Sequence, residues 1–512
     1  MHGGRQLKLR CQKLEKTLRS KKFKGQPELQ IELCQLLCQL GEISRLKAHA
    51  HKALSQPKNS PQFVFQLVSI LASAELHQEA YEALTQFLEK RPNSPMLVSQ
   101  LARICDQLGK DQEGLAFFEG LSSEHQTDPM ILLAKATLLR KSDQLQEALS
   151  LVEPLSKDES KSPSPEWSVQ LWDQLFRIRD GMGEYKGAYQ ALAKRKEVNL
   201  RWIQPGLAAQ LRVKKEESYQ KMLQVIAALD RDRLPQWQEE DANALKAPAF
   251  LLGHPRSGTT LLENVLESNS KLVSSDERPS FQLHVIEAIQ NGFRPTVDDE
   301  TTPKLFCDYL HELPEKKRHQ VRSQYYKEIH ERLGLSPKDQ ETVILDKNPA
   351  ITDGLIVINR LFPAGKIVFA LRDPRAVAWS SFTLPMVGLS WIGSFWNTLE
   401  DAAIAWGYLW DIWEAYREKL PEDQFIEAHY ENTVEDVKKQ GKMVTEFLGL
   451  EWEDGQERFY EHAQSKVVRS PTYADVKKPI YSKAKDHWRN YEEHMGPAIK
   501  KLEPYLSKLG YD

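Results

Sequence analysis

Long apolar runs are missing from this chain: no stretch of about twenty consecutive apolar residues occurs among its 512, so no membrane-spanning helix is expected. Cysteine is scarce. The five present, Cys11, Cys34, Cys38, Cys105 and Cys307, are odd in number and scattered, a poor basis for a disulfide framework and a better fit to a reducing compartment. Cys34 and Cys38 lie four apart on one predicted helix face, without the second Cys or His pair that zinc needs, so no metal is expected. Excess basic charge is also absent. With 69 Lys and Arg against 72 Asp and Glu, the net charge is −3, which excludes a nucleic-acid binder working by bulk charge and makes any anion site local. The amino-terminal "MHGGRQLKLRCQKLEKTLRSKKFK" is basic but lacks an apolar core and a small-residue cleavage site, so it reads as a helix, not a secretory signal. A cytoplasmic location is the expectation.

What is present begins with a repeat. Pro27, Pro61, Pro95 and Pro129 follow one another at intervals of 34 residues, a period that suits helical hairpins. Counted from each proline, the seventh residue is Leu33, Leu67, Leu101 and Lys135, and the twentieth is Leu46, Ala80, Gly114 and Ala148. Small or apolar side chains thus recur where two helices must approach. The fifteenth position, Gly41, Glu75, Gly109 and Asp143, reads as the turn between the helices. A fifth unit, displaced by about six residues after "SKDESKSPSPE", resumes with Trp172, Leu175, Phe176, Gly183 and Ala188; a loop insertion explains the displacement. The pattern resembles the tetratricopeptide repeat, which implies a solenoid over residues 1–205 able to bind a protein or peptide partner. Residues 206–245 are poor in Gly and Ser and helical in period, and read as a bridging helix.

The second half opens with "APAFLLGHPRSGTTLLENVLESNS". A buried-strand pattern, a tight loop and a helix follow in order, the layout that aims backbone N–H groups at an anion. Gly258 permits close approach, and Arg256, Ser257, Thr259 and Thr260 supply side-chain donors. The lysine of a nucleoside triphosphatase loop is missing, Thr259 standing in its place, which disfavours a kinase. Further on, "AGKIVFALRDPRAVAWSSF" puts Arg372 at a strand's carboxyl end and Ser380 eight residues later on a helix, a fork suited to a second, separate phosphate.

Two distant anion subsites suit a nucleotide phosphorylated on both sides of its ribose. Here the chain resembles the sulfotransferases that use 3′-phosphoadenosine 5′-phosphosulfate, over residues 246–512, and within them the branch of protein-tyrosine sulfotransferases and bacterial tetratricopeptide-repeat sulfotransferases. The resemblance implies an α/β domain with a central parallel sheet, that nucleotide as donor, and an acceptor hydroxyl on a tyrosyl peptide, a glycan or a small molecule. It assigns "HPRSGTT" to the 5′-phosphosulfate and Arg372 with Ser380 to the 3′-phosphate. Glu277 in "SSDERPSF" becomes the catalytic base, with Asp276 as its rival, and Lys347 in "LDKNPA" joins Arg256 in stabilising the leaving group. Tyr430 in "AHYENTV" and Thr472 in "SPTYADVKKPIYSKAKDHW" are implied near the nucleotide. His487 stands where relatives tend to carry Lys or Arg, a role open to Lys485 or Arg489. Among the aromatics of "SWIGSFWNTLEDAAIAWGYLWDIWEAY", Trp391, Phe395 and Trp396 are candidates for an acceptor pocket. A nucleotide-binding scaffold without turnover, or a P-loop kinase, is the alternative.

Overall fold

A computed structural model of the chain describes residues 2–20, 26–40, 42–56, 59–158, 162–201, 206–240, 247–277, 280–295, 300–336, 341–385, 395–465 and 483–511. The chain forms two compact units, Met1–Trp202 and Ile203–Asp512.

The first unit is helical. After α1 (His2–Arg19) come α2 (Pro27–Gln39), α3 (Ile43–Leu54), α4 (Pro61–Ser73), α5 (His77–Leu88), α6 (Pro95–Leu108), α7 (Asp111–Ala116), α8 (Pro129–Lys141), α9 (Leu145–Val152), α10 (Pro165–Gly181) and α11 (Tyr185–Arg201). Pro27, Pro61, Pro95, Pro129 and Pro165 all stand in the first turn of a helix, where the missing N–H has no acceptor to lose and the fixed φ suits the helix. Ser60, Asp128 and Ser164 cap three of these starts by accepting from Phe63 N, Met130 N and Trp167 N. Consecutive helices pack as pairs and each pair packs on the next, burying Leu33, Leu67, Leu101, Ala80 and Ala148 completely.

The predicted turn position explains its own composition. Gly109 and Gly183 have φ of 69° and 78°, and Glu75 and Asp143 are held at 65° and 61°, the left-handed region in which glycine is unstrained. Gly41 lies outside the described residues. The displacement of the fifth unit is only partly a loop insertion. Pro165 follows Pro129 by 36 residues instead of 34, and the other four residues come from α10, which has 17 residues against 13 in α8.

The second unit is built on five parallel strands, β1 (Ala249–Gly253), β2 (Leu272–Ser274), β3 (Val343–Lys347), β4 (Ile367–Leu371) and β5 (Phe425–His429), in the order β2-β3-β1-β4-β5. β1, β3 and β4 are buried along their whole length, as strands of a sheet covered on both faces should be. The chain leaves β1 toward one edge and β4 toward the other, so the crevice at their carboxyl ends is the switch point where such sheets collect ligands. Helices α12 (Leu207–Ala228), α13 (Thr259–Glu267), α14 (Glu315–Leu333), α15 (Pro374–Phe382), α16 (Leu399–Arg417), α17 (Tyr430–Glu435) and α18 (Gly496–Leu509) are used below. The stretch expected as a bridging helix is α12, which packs on α16 and on helix Thr302–His311 within this unit.

Register decides which face each polar strand residue serves. Leu251 pairs with Lys347 and Phe250 with Asp346, so Lys347 lies on the face that α13 covers with Leu262 and Leu266. Asp346 lies on the opposite face, among Phe250, Phe281 and Tyr325.

Candidate active site

The loop after β1 is held from within. Ser257 Oγ donates to His254 O at 2.7 Å and Ser257 N to the same oxygen at 3.1 Å. Gly258, at φ 91°, caps α13, leaving Thr259 and Thr260 on its first turn, where backbone N–H groups have no intrahelical acceptor. A Cβ at Gly258 would lie 2.4 Å from Tyr430 Cδ2, so the tyrosine ring rests directly on the loop. Burial lowers the His254 pKa to about 4; its imidazole is neutral at pH 7.

Arg256 and Arg372 meet across the crevice. Arg256 Nε donates to Ser380 Oγ at 2.9 Å, and Arg372 Nη1 donates to Arg256 O at 3.2 Å. The Arg372 guanidinium also sits over the Tyr430 ring, 4.4 Å from its centre, a favourable cation–π placement. The two anion subsites expected to be distant therefore adjoin in the structure: 124 residues separate Arg256 from Ser380 in sequence, and one hydrogen bond joins them in space. Asp373 fixes this corner. Its carboxylate accepts from Arg375 N at 2.8 Å, starting α15, while its own N–H donates to Glu431 Oε1 at 2.9 Å, and Glu431 Oε2 accepts from Tyr511 OH at 2.9 Å.

A third cluster surrounds Lys347, whose side chain is wholly buried. Its ammonium contacts Glu277 Oε1 at 2.5 Å and Glu263 Oε2 at 3.1 Å. Burial by itself would depress this lysine; Glu263 first and Glu277 second outweigh it and leave the pKa raised. Glu263, on α13, is raised by burial against the opposing pull of Lys347, and Ser274 Oγ donates to its other oxygen. Asp276 and Glu277 have φ of 54° and 50°, two successive left-handed residues without glycine, the kind of strain that collects at functional sites. They turn the chain back onto β3, where Glu277 N donates to Lys347 O at 2.9 Å. On the far face, Asp346 is raised to about 6 by burial and accepts from Tyr325 OH at 2.7 Å and Ser275 Oγ at 3.3 Å. Ser275 Oγ in turn accepts from Lys347 N at 3.2 Å, so Asp346 and Lys347 fix the strained segment from both sides.

Basic donors thus face a helix N-terminus at one sheet edge, beside a carboxylate–lysine pair. Residues 248–454 match the profile of the Sulfotransferase family. The chain carries an enzyme domain of that family. It is 27% identical over 274 residues to an uncharacterized protein of Aquifex aeolicus, covering 52% of this chain but only 33% of that protein. It is 25% identical over 276 residues to a putative protein-tyrosine sulfotransferase of Caenorhabditis briggsae, covering 51% and 88%. Among solved structures, the sulfotransferase domain from the Synechococcus PCC 7002 olefin synthase matches at 22% identity and TM-score 0.36, over 52% of this chain and 97% of that one.

Within the sulfotransferase domain a small pocket opens beside the loop, lined by His254 and Pro255, by Lys215 and Tyr219 of α12, and by Phe395 and Trp396. Lys215 Nζ lies 3.8 Å from Asp353 and 4.8 Å from the centre of the Tyr219 ring. Trp391, expected with the two aromatics, lies outside the described residues, as does Thr472. His487, Lys485 and Arg489 are described. His487 approaches the Tyr491 ring at 5.8 Å, Arg489 pairs with Asp486 at 3.0 Å, and Tyr491 stacks on Trp379 of α15 at 4.0 Å, so this segment packs on the helix that bears Ser380. Among the described residues, no group of three or more His, Cys, Asp or Glu could hold a metal ion and no helix is long and apolar enough to cross a membrane.

Glu263, Asp346, Lys215 and Tyr219 escaped the sequence reading. Most of α13 is buried, its polar Glu263 and Asn264 included, so nothing along the helix marks the buried glutamate, and the facing of Lys347 toward it depends on strand register.

Proposed function

We propose that the second unit moves a sulfuryl group from 3′-phosphoadenosine 5′-phosphosulfate to an acceptor hydroxyl. The observation that carries this reading is the Glu277–Lys347 pair at the carboxyl edge of the sheet, next to a lysine-free loop whose Arg256 touches Ser380. The residues fit the donor: the α13 N-terminus with Ser257, Thr259 and Thr260 offers donors for its 5′ end, and Arg372 with Ser380 a fork for its 3′-phosphate. When bound, the donor supplies a sulfuryl group joined to a phosphate oxygen.

Glu277 takes the proton of the acceptor hydroxyl as that oxygen bonds to sulfur. The bond between sulfur and the phosphate oxygen breaks, its electron pair staying on that oxygen, and Lys347 and Arg256 face the charge that collects there. Tyr430 supports Arg372 through its ring. Thr472 is a nucleotide-binding residue in this reading.

Aromatic walls at the pocket beside His254 and the likeness to a putative protein-tyrosine sulfotransferase support a tyrosyl peptide as acceptor over a glycan. The first unit is in this reading a tetratricopeptide-type solenoid that recruits the acceptor protein, supported by its helix pairs and their 34-residue period. The test is transfer of labelled sulfate from the donor to tyrosyl peptides, glycans and phenols, in chelator. Labelling of the peptides is expected; transfer of phosphate from ATP that needs magnesium, or nucleotide binding with no transfer to any member of the panel, would refute the reading.

A further inference from the structure

Lys347 is held from two sides by carboxylates in unlike settings. Glu277 is half-buried and lies on the strained segment after β2, whereas Glu263 is 1% exposed, sits on α13 and is tied by Ser274 Oγ. When Glu277 takes a proton it loses its charge, at the stage when the buried ammonium must face a leaving oxygen. A buried cation stripped of its only partner would lose its proton or move. Glu263 is the group that prevents this.

We propose that Glu263 is the positioning residue for Lys347, its carboxylate holding the ammonium in place and in charge throughout the proton transfer to Glu277. This inference rests on the sulfuryl-transfer reading for the role of Lys347, but the Glu263–Lys347 contact of 3.1 Å stands without it. The other charges that face the pair are Asp276 on the segment after β2 and Glu267 one turn along α13, with His462 lying 3.9 Å from Glu267. Asp276 adds to the negative potential at Lys347 and Glu267 to that at Glu263, and neither is the ion-pair partner of Lys347 at 3.1 Å.

The experiment uses the full chain labelled at lysine Cε with ¹³C, the Lys347 resonance being identified by its loss in Lys347→Met. In Glu263→Gln the titration of that resonance is expected to move down by about one to three pH units, the range for removing an opposite charge at contact. In Glu263→Asp, which keeps the charge, it stays near the wild-type position. In turnover, the alkaline limb of kcat/KM moves down with the resonance in Glu263→Gln while the KM for donor holds, a signature that a merely structural glutamate would not produce. An unmoved resonance in folded Glu263→Gln overturns the proposal. Should that variant not fold, Glu263→Asp decides: its shorter arm is expected to cost kcat about tenfold or more with nucleotide binding retained, and wild-type kcat overturns the proposal. A wild-type chain that transfers no sulfate refutes the functional reading, and the resonance titration still judges the contact.

Discussion

Lys347→Met replaces a wholly buried ammonium by a side chain of similar length and leaves Glu263 buried against it without a counter-charge. Breaking one half of a buried pair costs about 3–5 kcal/mol. Unfolding the unit Ile203–Asp512 carries an entropy near 2.1 cal/mol/K per residue, about 0.65 kcal/mol per degree for the whole unit, so its Tm is expected to fall by roughly 5–8 °C. The pH dependence has a definite sign. Burial already raises Glu263 in the native protein, and without Lys347 it rises further, so the folded variant binds a proton that the unfolded chain releases above its ordinary carboxylate value. Stability contributed by such a group is complete below that value and falls as pH rises toward the folded one. The deficit of Lys347→Met relative to wild type should therefore be smaller at pH 5 than at pH 8. Adding Glu263→Gln removes the stranded carboxyl and should restore most of the Tm at pH 8, though no activity. Melting of the four proteins of this cycle, followed at both pH values, is the assay. A deficit that is independent of pH and unrelieved by the second substitution would refute a charge-pair origin and leave only lost packing.

The remaining predictions concern the reaction and the nucleotide. Glu277→Gln should lower kcat by about a hundred- to ten-thousand-fold with nucleotide affinity nearly unchanged, and Asp276→Asn should cost far less; parallel turnover and binding measurements check the pair, and near-normal turnover by Glu277→Gln moves the base elsewhere. Gly258→Ala puts a Cβ 2.4 Å from Tyr430 Cδ2 at a φ of 91°, displacing the ring on which Arg372 rests; at least a tenfold loss in affinity for adenosine 3′,5′-bisphosphate, about 1.4 kcal/mol, is expected by calorimetry. Adenosine 3′,5′-bisphosphate should stabilise the chain by about 2.7 kcal/mol at a hundredfold excess over its Kd, AMP by less, and Arg372→Ala should abolish the difference in melting.

Much of the second unit was legible because its signals are local. "AFLLG" and "IVFAL" are short apolar runs that a covered parallel strand requires, and "PRSGTTLLENVLE" moves from loop glycine to helix within a few residues. The carboxyl ends of β1 and β4 follow from those runs, and with them the neighbourhood of Arg256 and Arg372. Glu277 and Lys347 drew attention through resemblance, since a carboxylate in "SSDERPSF" and a lysine in "LDKNPA" are individually ordinary. In the helical unit, the 34-residue spacing of the prolines marked the helix starts, but an extra turn of α10 left the same trace as a longer loop.

By itself the sequence determined where the prolines start the repeat helices, where β1 and β4 lie, and that donors for an anion stand at two strand-to-helix junctions. These depend on apolar period, proline, glycine and short polar side chains within one or two turns of chain. Only the tertiary structure decided what those donors face. The β1–β3 register sends Lys347 to the face of Glu263 and Asp346 to that of Tyr325, and a slip of one residue would exchange them. The closure of β1 against β4 brings Arg256 onto Ser380, and α12 lends Lys215 and Tyr219 to the pocket beside the loop. Such contacts join residues some twenty to nearly two hundred positions apart, and pairing at that range is set by the packing of whole elements rather than by any pattern along the chain.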